Sequence, residues 1–124
     1  MTAAVVLTPV SAPVADHVLV VALDGALDYT NAERLRRDVE ASLGEEHREL
    51  ILDLSGVNFC DSTGIRTLLS VRKLMQDRKG AVTLAALNAR LARIFRVTGL
   101  ISAFTVAPDL AEAVDAVGAR STPR

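Results

Sequence analysis

Short apolar runs alternate with segments of helical period along most of this chain, and that alternation leaves few folds open. His17 to Leu23 is nearly continuous apolar sequence, rich in Val, and ends at Asp24-Gly25. Leu50 to Leu54, Ala81 to Leu87 and Phe104 to Val106 are further runs of strand length. The run from His17 to Leu23, with so little polar alternation, predicts a strand covered on both faces or close to it. The segments between them carry apolar residues at helical spacing. Thr30-Asn31-Ala32-Glu33 has the form of a capping box, followed by Ala32, Leu35, Val39 and Leu43 on one face and a stop at Gly44. A second helix follows Asp61, carries Ile65, Leu68, Leu69 and Met75, and ends near Lys79-Gly80. Asn88 caps a third, with Leu91, Ile94 and Phe95 inward, and Val97 to Leu100 is a break. Asp109 opens a last helix through Leu110, Ala113, Val114 and Val117, with Gly118 as its end. At the start, Val5 to Val14 is punctuated by Pro9 and Pro13 and predicts an edge strand and a turn. The sum is an α/β fold, a single mixed β-sheet of about five strands packed with about four α-helices. Right-handed crossovers would bring Asp24-Gly25 and the segment from Asn58 to Gly64 to one edge of that sheet.

Composition bounds the function. At 124 residues the chain fits one domain, expected over 1–118, with 119–124 as a flexible C-terminal tail. Aromatic content is only 3%, so the core must be built from Val, Leu, Ile and Ala. A formal net charge of −1 gives no support for direct nucleic-acid binding by bulk charge. The one cysteine, Cys60, excludes an intrachain disulfide and fits a reducing compartment; it is expected to be a small buried hydrophobe rather than a redox sensor. No apolar run approaches the ~20 residues of a membrane span. Val5-Val6-Leu7 lacks a basic region before it, so no secretory signal is expected. The expectation is a cytoplasmic protein with no membrane association.

The chemistry concentrates between Leu50 and Leu69. An apolar strand stops at Asp53-Leu54-Ser55-Gly56, a brief loop follows, and Asp61-Ser62-Thr63-Gly64 opens a helix. A serine there is exposed at the end of a helix whose dipole favours negative charge. Catalysis finds little support. Ser62 and Gly64 form half of a G-x-S-x-G elbow, but Cys60 stands where the first glycine belongs, and neither His17 nor His47 is placed as a base. The histidines have no neighbouring carboxylate or thiol at ligand spacing, so no metal is expected, and no phosphate-binding glycine motif or other cofactor signature is present. A phosphoaccepting receiver domain would use Asp53, yet it needs clustered acids for Mg²⁺ and a lysine after the last strand. Asp24 and Asp28 are four residues apart, and the only lysines are Lys73 and Lys79. Residues alone leave two readings of the turn open: Asp61 or Ser62 caps the helix, or Ser62 is also a site of modification.

With these residues in view, the sequence resembles the STAS domain family, as found in bacterial anti-sigma factor antagonists. Three stretches carry the resemblance: Leu50 to Leu69 with its Asp-Ser-Thr-Gly; Leu23-Asp-Gly-Ala-Leu-Asp28 leading into Asn31 to Leu35; and Phe95 to Leu100 followed by Phe104-Thr-Val and Leu110 to Ala113. They occur in order over about Val5 to Val117. The resemblance implies partner switching. The unmodified antagonist binds an anti-sigma factor that is also a serine kinase, phosphorylation releases it, and a PP2C-type phosphatase reverses the mark. By position, the resemblance implies Ser62 as phosphoacceptor, Thr63 as a second hydroxyl, Asp28 as an acidic residue near the site, and Gly64 as the glycine that lets the partner approach. Asp61 and Arg66 complete the implied partner-binding set. Arg66 and Cys60 depart from residues frequent in the family, a small one and an aliphatic one respectively. The alternative is a non-switching adaptor module in a larger signalling or transport assembly. Arg90, Arg93 and Arg96 recur along the third helix, as a solvated face by default or as a stripe for an acidic partner.

Overall fold

The computed structural model describes residues 6–9 and 16–121. Five strands form one sheet in the order β1 (Val6–Pro9), β2 (Val18–Leu27), β3 (Glu49–Cys60), β4 (Ala81–Ala85) and β5 (Thr105–Ala107). β1 runs antiparallel to β2, and every other neighbouring pair is parallel. Helices α1 (Ala32–Ser42), α2 (Ser62–Asp77), α3 (Ala89–Val97) and α4 (Leu110–Ser121) fill the connections after β2, with a 3₁₀ turn over Leu100–Ser102. The expected mixed sheet with about five strands and four α-helices is what forms.

The strand pattern explains the layers. Leu50, Leu52 and Leu54 point into the larger core with Val21, Leu23, Val82 and Leu84. That core also takes Leu35 and Val39 of α1, Leu68, Val71 and Met75 of α2, and Leu91 and Phe95 of α3. Ile51 points the other way and joins Val18, Val20, Ala85, Ala107 and the α4 residues Ala113 and Val117. Period-two alternation therefore persists, but both faces are apolar because both are covered. Phe95 and Phe104 supply the aromatic part of the core, with ring centroids 5.9 Å apart.

Several boundaries differ from expectation. β2 does not end at Asp24-Gly25, nor β3 at Leu54; the two run on together to Leu27 and Cys60. Asp24 pairs with Gly56 and Gly25 with Val57, so each strand satisfies the backbone of the other through sequence that has the look of turns. Gly25 adopts φ 108°, and the register shifts beside it, which is how a glycine accommodates a bulge. Asp53 consequently lies in mid-strand with its carboxylate on the Ser55 amide at 3.0 Å, far from the strand end a receiver domain would use. The capping box at Thr30 and Glu33 does not form. α1 starts at Ala32, because the Thr30 hydroxyl donates to Asp28 and the Asn31 side chain is spent on Asp28 N–H and the Ala26 carbonyl. Helix α4 continues through Gly118 to Ser121, three residues beyond the expected stop. Of the expected N-terminal edge strand and turn, Val5 and 10–14 lie outside the described residues, as do 122–124 of the expected tail.

Candidate functional site

The extended β2 and β3 deliver two loops to the C-terminal end of the sheet, where Leu27 pairs with Cys60. Asp61 joins them. Its Oδ1 accepts the Gly64 amide at 2.8 Å as the N-cap of α2, and its Oδ2 accepts the Tyr29 amide at 3.1 Å. Its own amide donates to the Leu27 carbonyl at 3.2 Å. Capping thus belongs to Asp61, and one carboxylate ties the start of α2 to the β2–α1 loop. Asp61→Ala is expected to lower stability by about 1–2 kcal/mol in urea unfolding, a lost cap plus a lost cross-loop bond. Asp61→Asn, which keeps one acceptor, should lose less; an unchanged midpoint for Asp61→Ala would contradict the clamp.

Ser62 follows as the first residue of α2 and is exposed. Its hydroxyl has no hydrogen-bond partner among the described residues. The amides of Ser62 and Thr63 lie in the first turn, where an α-helix offers no internal acceptor, so the dipole and free donors face the hydroxyl's surroundings. Thr63 is half-buried and lines a groove of about 290 Å³ between α1 and α2 with Tyr29, Arg36 and Arg66. Arg66 is exposed one turn along from Ser62, and its guanidinium makes no ion pair among the described residues.

Asp28 and Gly64, two residues of the implied set, are buried. Asp28 is buried, and its Oδ1 accepts the Thr30 amide at 2.9 Å as well as the Thr30 hydroxyl. It shapes the loop rather than facing outward. Gly64 is buried too. A methyl group built there would stand 2.6 Å from the Leu27 carbonyl oxygen and 2.8 Å from the Cys60 sulfur. The close approach that needs this glycine is thus made by the chain's own β2.

Sequence reasoning missed Tyr29 and Phe59. The chain has one Tyr, three Phe and no Trp, and two of these four aromatics are exposed, Tyr29 at 77% and Phe59 at 47%. Tyr29 is one residue past Asp28, and Phe59 lies three before Ser62. In an aromatic-poor chain, rings flanking a polar motif were the available signal. Exposed aromatics of this kind are preferred anchors for protein partners.

Cys60 packs into the core as expected, with Sγ 3.6 Å from the Asp61 carbonyl oxygen. Burial, and then the Asp61 charge, push its thiol up to about 12. At pH 8 only about one thiol in ten thousand is ionised on that basis, and the thiolate is the reactive form. Iodoacetamide should therefore alkylate the native protein at least 100-fold more slowly than the urea-unfolded chain; equal rates would contradict the burial.

The histidines stand away from Ser62. His17 precedes β2, and His47, in the α1–β3 turn, accepts the Gly44 amide at Nδ1 at 2.8 Å. Both are at the N-terminal ends of their strands, opposite Ser62. Among the described residues no group of three or more His, Cys, Asp or Glu is placed to hold a metal ion. No described helix is long and apolar enough to cross a membrane.

Known proteins resemble this chain in sequence and in fold. Residues 9–113 match the family model of the STAS domain. BtrV of Bordetella bronchiseptica, provisionally named an anti-sigma factor antagonist, is 30% identical over 92 residues, which span 74% of this chain and 79% of that protein. The crystal structure of an anti-sigma factor antagonist from Mycobacterium paratuberculosis superposes with a TM-score of 0.78 at 26% identity, over 94% of this chain and 98% of that one. The murine anion transporter Slc26a9 also contains a similar unit, with a TM-score of 0.71 and 26% identity over 79% of this chain but 17% of the transporter.

Proposed function

The chain belongs to the STAS domain family, and from that membership we propose that it is an anti-sigma factor antagonist switched by phosphorylation at Ser62. In this reading it binds an anti-sigma factor that is also a serine kinase, and so frees a sigma factor for transcription. The observation that carries the reading is the exposed Ser62 hydroxyl at the first position of α2, held by the Asp61 clamp that also takes the Tyr29 amide. The antagonist names borne by BtrV and the Mycobacterium protein support the general role.

The chemistry belongs to the partner. Ser62 Oγ attacks the γ-phosphorus of the kinase's ATP, its proton passes to a base on the kinase, and ADP leaves. Ser62 acts as an acceptor only, consistent with both histidines lying at the other end of the sheet. The phosphate adds about −1.5 to −2 charges at near-neutral pH. It would stand beside the Asp61 carboxylate, at a surface that the partner had met with a neutral hydroxyl. The helix dipole and the free first-turn amides favour the dianion locally, so the fold is expected to survive the modification while the interface does not. Hydrolysis by a PP2C-type phosphatase would restore the binding form.

Incubation with a cognate anti-sigma kinase and ATP, followed by mass-spectrometric site mapping, tests the assignment. One phosphate on Ser62 is expected, with none on Ser62→Ala. Labelling of Thr63 or another residue in place of Ser62 would overturn it. The second reading, a non-switching module in a larger assembly, is favoured by the similar unit in Slc26a9. It expects no phosphate from any such kinase.

A further inference from the structure

β3 is twelve residues long and β4 only five, and β4 pairs with no residue of β3 beyond Asp53. Helix α3 takes up the space alongside the rest of β3, with Asn88 Nδ2 donating to the Val57 carbonyl at 2.9 Å. The fit leaves a cleft of about 550 Å³ between Asn58, Phe59 and Cys60 on the strand and Arg90, Arg93 and Ile94 on the helix. Ile94, expected to point inward with Leu91 and Phe95, is instead half-buried and joins neither core cluster.

The outer face of α3 has an unusual make-up. Arg90, Arg93, Ile94 and Val97 fall at i, i+3, i+4 and i+7, so they share one face of the helix. Val97 is 77% exposed. The helix carries three arginines and no acidic residue. On α1 and α2 three cations have carboxylates one turn along, Arg34 with Asp38, Arg36 with Glu40 and Lys73 with Asp77, whereas exposed Arg66 has none. Arg90 and Arg93 have no ion pair among the described residues. In a chain of net charge −1 this is a local cationic, partly apolar strip. It is continuous along the chain with the α2 end, since Phe59 at its wall is three residues before Ser62.

We propose that this face of α3, with the β3–α3 cleft, docks an acidic amphipathic segment of a protein partner. Apolar side chains of that segment would fill the space between Phe59 and Ile94 and cover Val97. Its carboxylates would meet Arg90 and Arg93, where a planar guanidinium suits bidentate pairing. This goes beyond the Ser62 reading, as a second recognition surface beside it, and it needs no phosphate.

The test is a titration of ¹⁵N-labelled protein with an amidated helical peptide of about 14 residues, four turns, bearing Leu on one face and Glu on the other. Amide shifts are expected at Phe59, Cys60 and Arg90 through Val97, and added salt should weaken the binding. Arg90→Glu with Arg93→Glu should weaken it at least tenfold, the spectrum of the variant showing that it is folded. Ile94→Gln, which leaves the charges in place, should weaken it as well, and a Leu/Lys peptide should not bind. Absence of shifts at the cleft, or equal binding of either variant or of the Leu/Lys peptide, would overturn the proposal. Because no kinase takes part, failure here leaves the Ser62 switch untouched, and failure of Ser62 labelling leaves this result standing.

Discussion

Ser62→Asp is expected to bind the anti-sigma partner at least tenfold more weakly than the wild type, and Ser62→Ala to bind it as the unmodified protein does. Ser62 is exposed and first in α2, and Asp61 already holds one carboxylate at this helix end. A second negative group concentrates like charge where a complementary surface has to close. Mismatched charge at an interface costs a few kcal/mol, and ~1.4 kcal/mol is already tenfold in affinity. Aspartate supplies one charge and little bulk, so it should do less than a phosphate. Titration calorimetry with the purified partner reads both variants. Wild-type affinity in Ser62→Asp would mean that repulsion is not what releases the partner.

Gly64→Ala and Gly118→Ala should shift stability in opposite directions. Both glycines lie inside helices, where replacing Gly by Ala normally gains up to about 1 kcal/mol from helix propensity. At Gly118 a methyl group meets nothing within 4 Å, so that gain should appear. At Gly64 the methyl meets a backbone carbonyl of β2 at 2.6 Å and two further atoms inside 3.0 Å. Backbone cannot turn aside as a side chain does. The overpacking cost, about 1–3 kcal/mol and sometimes more, should exceed the propensity gain. Urea unfolding midpoints decide it. A stabilised Gly64→Ala would show that α2 can move off β2, and would return this glycine to the role of admitting a partner.

Much of the fold was legible because its elements are written in period. Unbroken apolar runs marked the strands, and the alternation of strand and helix marked a single mixed sheet with helices against it. Strand ends were not legible. Asp24-Gly25 and Ser55-Gly56 have turn composition, yet they lie within adjacent strands, where Asp24 pairs with Gly56 and Gly25 with Val57. No local rule sees that pairing. The capping box failed for a related reason: Thr30 and Asn31 had closer partners in the β2–α1 loop than in the helix they precede.

The site divides in the same way. Asp61 and Ser62 were legible as a helix start. The reach of Asp61 to Tyr29 was not, since it spans 32 residues. The same contact brings the Asp28 loop and the Ser62 turn together, as their joint place at one sheet edge requires. Gly64 has an internal role that its place in the motif did not reveal. Its residue type matched, but the space it leaves is filled from within by Leu27 and Cys60.

One phosphate on Ser62 is proposed to decide whether the partner stays bound. This is tested most directly by comparing the affinity of one purified anti-sigma kinase for two forms of this protein, unmodified and carrying phosphoserine at position 62 installed during synthesis. The expected result is a loss of at least tenfold in affinity with the circular dichroism spectrum unchanged. Equal affinity of the two forms would contradict the switch.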